Sequence, residues 1–426
     1  MTDDDRRRAG FKERTRLAAA RDRLLDAVEP HGRTQHAPLG SADGRTLAET
    51  VTAARPVPGY ERAAMDGYAV RAADTFGASD RSPALLRLRA GGDPEAADAV
   101  EPDEAVRVHT GSPIPDGADA VVMVEHAERV DDEVEVFDAV AGGENVAPVG
   151  EDVEAGRTLF EPGHVLRPSD VGLLKAVGLD EVEVRERPTL GVIPTGEELV
   201  QRDPEPGEVV ETNGLTVSRL GVRWGTVPTY RDVVSDDPSA LRAAIQRDLA
   251  KDAVVTTGGS SVGARDYVPE VVDDLGEVLV HGVALRPGHP VALGVVEDTP
   301  VLMLPGYPVA CIVNAVQFLR PVVRALAGRD PVRPDHPTTE ARLSRKISSE
   351  PGVRTFARVR LRDGNGDEGD GSERDGPGPI AEPVRAGGAG VLSSVALADG
   401  WVVVPEGREG IPADERVAVE NWEWSV

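Results

Sequence analysis

The chain has 426 residues, with 47 Lys and Arg against 74 Asp and Glu, giving a formal charge of −27. That length calls for two to four domains, and a field of that sign repels nucleic-acid phosphates and anionic membranes, which excludes both as expected partners. Only Lys12, Lys175, Lys251 and Lys346 are lysines and only Cys311 is a cysteine, so the surface suits a salt-rich cytoplasm and no internal disulfide or thiolate metal site can form.

Residues 1–10 are a charged tail without the apolar core of a signal peptide. From Thr15 to Val28, Leu17, Leu24, Leu25 and Val28 fall on one helical face and Pro30 ends the run, predicting an amphipathic helix that opens the first domain. Residues 51–147 change to short β-type runs, Ala84 to Leu88, Ala105 to Val108 and Ala120 to Val124, separated by Gly and Pro turns. They read as an inserted β-rich domain. Residues 148–187 are mixed, with a helix predicted from Ser169 to Val177, capped by Ser169 and closed by Gly178.

Thr189 to Ala327 alternates strand and helix. Leu190 to Ile193, Ala253 to Val255 and Val301 to Leu304 read as short buried strands, and Leu241, Ala244, Ile245 and Leu249 line one helical face. A parallel α/β sheet follows, with ligands expected at the carboxyl ends of its strands. The apolar stretch Val301 to Leu319 is about long enough to span a membrane, but Pro305, Gly306, Pro308, Asn314 and Gln317 interrupt it, and strand, turn and helix account for it better.

One of those strand ends carries Thr256-Thr257-Gly258-Gly259-Ser260-Ser261-Val262-Gly263, followed by Asp266. Glycines past a buried strand let several backbone N–H groups converge on a phosphate, and an acidic residue close behind can hold a cation against it. The last hundred or so residues are β-rich again. They are broken by a run of Gly, Asp, Glu, Pro and Ser at 363–379 that is expected to be a flexible, solvated loop. Asp363, Asn365 and Asp367 suggest a calcium loop, but Glu368 and Arg374 stand where glycine and glutamate are needed, so calcium is rejected.

Other chemistries fit less well. Gly259-Ser260-Ser261-Val262-Gly263 has the spacing of a hydrolase nucleophile elbow around Ser261, yet it runs into Arg265, Asp266 and Pro269 instead of a helix. The eight histidines lack zinc-site spacing. Among the carboxylates, Asp66, Asp152, Glu198, Asp236 and Asp266 stand in loop contexts near glycine or proline and could converge on Mg²⁺ bridging phosphate oxygens. Asp237, before Pro238, has the simpler duty of a helix N-cap.

The blocks Pro58-Gly59-Tyr60-Glu61-Arg62-Ala63-Ala64-Met65-Asp66-Gly67-Tyr68-Ala69, His109-Thr110-Gly111-Ser112-Pro113 and Gly150-Glu151-Asp152 together resemble the molybdopterin molybdenumtransferases, the molybdenum insertase family that includes the gephyrin E-domain. The resemblance runs on through Thr195-Gly196-Glu197-Glu198, Ser235-Asp236-Asp237-Pro238, Arg286-Pro287-Gly288-His289-Pro290 and Leu304-Pro305-Gly306-Tyr307-Pro308. It implies a multidomain α/β plus β protein: a split linker domain at 11–50 and 148–187, the β insert at 51–147, a three-layer α/β molybdopterin-binding domain at 188–330, and a C-terminal β-barrel-like domain at 331–426.

The activity it implies is insertion of molybdate into adenylylated molybdopterin, releasing AMP, in the cytoplasm. Dithiolene sulfurs of the pterin would be the soft metal ligands, so the protein needs no cysteine of its own. On this reading Thr257, Gly258, Gly259, Ser260 and Ser261 cradle the pterin phosphate, and Glu198, Asp236 and Asp266 bind Mg²⁺ or orient water. Asp66, Thr110 and Asp152 act from another face across a homodimer, while Arg286 and His289 attract molybdate or tungstate and Pro305 and Pro308 shape the pocket.

The chain departs from the family pattern at Gly282 and His289, where lysine is usual, at Tyr307, where asparagine is usual, and at Tyr60-Glu61-Arg62-Ala63. Two alternatives stay open: a non-catalytic pterin-binding scaffold of the same fold, and an adenylyltransferase or hydrolase using the glycine loop.

Overall fold

The structure, a computed structural model, describes residues 14–89, 99–258, 267–332, 336–363, 378–384 and 390–423. The charged tail at 1–10, Gly259, Ser260, Ser261 and Asp266 lie outside the described residues, as does nearly all of the expected loop at 363–379. The chain forms two compact units: one holds 36–43 and 47–183, the other the remaining described residues.

In the first unit, alternating apolar residues build a six-stranded sheet in the order Ala120–Met123, Gly67–Val70, Glu104–Val108, Ala84–Leu88, Glu133–Val136, Ala127–Val130. Tyr68, Val70, Leu86, Val122, Val134 and Val136 fill the core on one face, and Ala69, Val108 and Val121 pack on the other. That alternation is the period of two expected of strands. The chain leaves for this sheet and returns from it side by side. Arg62–Ala63 pairs antiparallel with Val146–Ala147, and Val57 exchanges hydrogen bonds with Val153 at 2.8 and 3.1 Å.

Beyond the return, the helix is Pro168–Ala176, one residue earlier than expected, and Ser169 is not its cap. Pro168 takes the first helical position, and the Asp170 carboxylate turns back to accept from the Arg167 amide at 3.0 Å and its guanidinium at 2.9 Å. Gly178, with φ +94°, follows its C-cap as expected.

The second unit is a three-layer α/β sandwich joined to a barrel. Its sheet runs Val227–Tyr230, Thr189–Pro194, Ala253–Thr257, Thr299–Leu304, Ala292–Val296, Glu277–His281, with the first four strands parallel. Leu190, Val192, Val255, Leu302 and Leu304 face one layer of helices. Ile193, Val254, Val301 and Met303 face the other, built from Pro238–Asp248 and Val268–Leu275.

The helix Leu17–Leu25 belongs to the first of these layers. Leu17, Ala20 and Leu24 are buried with Phe318 and Leu319, and Arg21 donates to Gln317 Oε1 at 2.8 Å. Its apolar face packs on the α/β core, a partner that could not be read locally, because an apolar face defines a stripe to be covered without naming the surface that covers it. The apolar helix Pro308–Leu326 is long enough to cross a membrane by composition, and 89% of its apolar window is buried inside the unit.

At the C-terminus five strands close a barrel: Arg354–Arg362, Ile380–Pro383, Thr338–Leu343, Arg416–Glu420 and Gly400–Val404, which pairs back to Arg354–Arg362. The short strand Leu285–Arg286 extends from the α/β part and pairs in parallel with Arg354 and Thr355.

Candidate active site

The four parallel strands deliver their carboxyl ends to one edge of the sheet. Thr195 N–H donates to Thr257 O at 3.2 Å, Gly258 N–H to Leu304 O at 3.0 Å and Gly196 N–H to Val234 O at 3.2 Å, so four loops are tied together. Gly258 has φ +120°, and a Cβ there would stand 2.1 Å from Thr195 O. Glycine is therefore required for the loops to approach this closely.

The hydroxyls of Thr195, Thr256 and Thr257, buried beside that crossing, have no hydrogen-bond partner among the described residues. Buried polar groups are normally satisfied, so a strand edge holding three unsatisfied hydroxyls is suited to a polar ligand and the loop around it.

Glu198 and Asp236 flank this edge. The Glu198 carboxylate folds back over Gly196, whose added Cβ would lie 2.8 Å from Oε1. Asp236 stands just past Val234, which pairs with Thr195. Asp237, as expected, caps the next helix, its Oδ1 accepting from Ser239 N at 3.1 Å and Ala240 N at 2.9 Å. Among the described residues no three carboxylate, histidine or cysteine groups come together as a metal site.

Three residues that sequence reading overlooked brace the same edge. Glu211, buried, accepts from Gly214 N at 2.6 Å through Oε1 and from the Tyr230 hydroxyl through Oε2. Burial and the Glu211 carboxylate push the Tyr230 phenol up to about 12. The neighbouring Asn213 Nδ2 donates to Gly306 O at 2.7 Å. Pro308 takes the first position of the helix that follows, where a missing N–H costs nothing.

Beside this edge lies a pocket of about 870 Å³. Arg286, His289, Pro305 and Tyr307 line it from the α/β part, and Arg345, Lys346 and Arg358 from the barrel. Glu350 is the nearby counter-charge, 4.0 Å from Arg286 Nη2. Arg358 Nε is buried without a partner among the described residues, and burial lowers the guanidinium below its usual range. Burial first, and then Arg14 and Arg286, hold the His289 imidazole below its ordinary value.

Asp66, Thr110 and Asp152 belong to the other unit. Asp66 Oδ1 accepts from Thr110 N–H at 2.7 Å and from its hydroxyl at 2.8 Å, with His109 Nδ1 3.7 Å from Oδ2. The Thr110 amide, then its hydroxyl, hold the Asp66 carboxyl below the usual range. Asp152 stands in a turn of its own, its N–H donating to Val57 O at 3.0 Å.

Comparison with known proteins places these features. Residues 15–178 match the MoeA N-terminal region (domain I and II), 191–325 a probable molybdopterin binding domain, and 340–422 the MoeA C-terminal region (domain IV). A molybdopterin molybdenumtransferase of Bacillus subtilis is 31% identical over 93% of this chain and 94% of its own length.

The chain belongs to the MoeA family of molybdopterin molybdenumtransferases.

A second relative, molybdopterin molybdenumtransferase 2 of Mycobacterium tuberculosis, is 34% identical over 76% of this chain and 82% of its own. The crystal structure of the molybdopterin biosynthesis MoeA protein from Pyrococcus horikoshii superposes with a TM-score of 0.79 at 30% identity, covering 96% of this chain and all of that one. In this chain the glycine crossing lies in the stretch matched to the probable molybdopterin binding domain, and the cationic pocket is lined from that stretch and from the one matched to domain IV.

Proposed function

We propose that this chain is a molybdenum insertase that places molybdate into adenylylated molybdopterin and releases AMP. The observation that carries the reading is the crossing of strand ends at Gly258, beside a pocket with five cationic or imidazole side chains in a protein of net charge −27. An anionic pterin and an oxyanion both need local positive charge that the rest of the surface does not supply.

Each residue has a task in this reading. Thr257 and Gly258 open the cradle for the pterin phosphate, continued by Gly259, Ser260 and Ser261. Arg286, His289, Arg345, Lys346 and Arg358 hold the oxyanion, the guanidiniums through paired N–H donors. Glu198 and Asp236, with Asp266, would hold Mg²⁺, which takes one or two carboxylates together with substrate phosphates and needs no closed protein cage. Bound there, it would neutralise charge on the pyrophosphate. Asp66, kept ionised by Thr110, and Asp152 would act from a second copy of the chain. Tyr60 and Met65, large apolar side chains that precede Asp66 and stand half exposed, support a face covered in a homodimer. The lone, buried Cys311 suits a reducing cytoplasm.

The reading is tested by incubating the protein in high salt with Mg²⁺, adenylylated molybdopterin and either molybdate or tungstate. AMP release that depends on the oxyanion is expected, and its relative rate gives the preferred metal. Tight pterin binding without AMP release in either oxyanion would leave only a carrier.

A further inference from the structure

The helix Pro308–Leu326 is apolar along most of its length, yet Asn314 stands in it fully buried. Its Nδ2 donates to Ala310 O at 2.8 Å in its own helix and to Gly288 O at 3.0 Å in the loop that carries Arg286 and His289. Its Oδ1 is buried with no partner among the described residues. The next turn, Ala315–Leu319, is a π-helix. Packing alone favours none of these. Asparagine is a poor helix former, an orphan buried acceptor is disfavoured, and single π turns concentrate at functional sites.

The loop side of the contact is equally demanding. Gly288 has φ +111°, and a Cβ there would stand 2.1 Å from Asn314 Nδ2. On one side of it Leu285–Arg286 pairs with the barrel, and on the other His289 O accepts from Val283 N at 2.8 Å. Between these two backbone anchors, Asn314 supplies a side-chain tie from the core helix.

We propose that Asn314 is a positioning residue for oxyanion capture. By fixing Gly288 it sets where Arg286 and His289, on either side of that glycine, stand relative to Lys346 and Arg358. The inference rests on the reading of this pocket as the place of the oxyanion.

The test uses the full chain and follows AMP release against molybdate concentration at saturating adenylylated molybdopterin. Asn314→Leu keeps a side chain of similar size and removes both donors and the orphan acceptor. It is expected to raise the KM for molybdate about tenfold or more, with kcat and pterin affinity within about twofold of the parent. A folded Asn314→Leu with the parental KM overturns the proposal, as does a loss confined to kcat. Arg286→Ala separates the two levels: if it too leaves KM unchanged, the pocket reading itself is wrong. If it raises KM while Asn314→Leu does not, only the role of Asn314 falls. Should Asn314→Leu fail to fold, Gly288→Ala displaces the same amide from the loop side. A raised KM there supports the tie, and an unchanged one overturns it.

Discussion

Asp66 and Thr110 show how one residue can set the protonation state of another. Two hydrogen bonds from Thr110 hold the Asp66 carboxyl below the ordinary range, so it stays ionised to a lower pH than a free aspartate. Thr110→Val removes the hydroxyl bond and raises that pKa. The acid limb of the pH profile for AMP release is therefore expected to move to higher pH, and an unmoved limb would separate Asp66 from the chemistry. His289 works with the opposite sign. Held below the ordinary imidazole value, it is neutral near pH 7 and gains its charge only in mild acid. Molybdate KM is expected to fall as pH is lowered below the ordinary imidazole range, while His289→Lys should bind more tightly with no such step. A parental profile as flat as that of the lysine variant would remove His289 from oxyanion binding.

At the scale of elements, the strand edge depends on approach distances that only glycine allows. Gly258→Ala asks a residue with φ +120° to carry a Cβ 2.1 Å from Thr195 O, so the loop must move away from its neighbours. Beyond about 1–3 kcal/mol of strain, pterin affinity is expected to drop, measured by equilibrium binding beside the thermal midpoint. Parental affinity in this variant would refute the cradle. Three of the four parallel strands were legible in the sequence because each is a short apolar run followed closely by Gly or Pro, whereas Val227–Tyr230, with Pro228 inside it, was not. The N-cap at Asp237 was legible because its partners are local. Ser169 was misread as a cap because Pro168 begins the helix one residue earlier and Asp170 can reach back to Arg167. The destination of Leu17–Leu25 was hidden because its partner, Phe318 and Leu319, lies some three hundred residues away.

At the scale of the whole molecule, 74 acidic against 47 basic residues make self-repulsion a general cost of compactness. The thermal midpoint should rise with KCl, mostly below about 1 M, where the Debye length has already shrunk to about 3 Å. A flat or falling midpoint over that range would show that repulsion does not limit stability. The same acidity hid half of the pocket. Arg286 and His289 stood out in a motif, but Arg345, Lys346 and Arg358 reach it through barrel register and closure, which no local pattern reports. Lys346, one of only four lysines, was the available hint.

The paired departure and return of the β insert has a consequence for how such a chain can be rebuilt. Gly150 N–H donates to Pro58 O at 2.9 Å, and Val57 and Val153 bond each other one step further in. The segment between is thus a cassette whose cut ends already touch, open to grafting between related chains. Replacing residues 59–149 by a short glycine bridge is expected to leave a folded remainder with its own cooperative melting transition, and a remainder without one would show that the insert is needed for its host to fold.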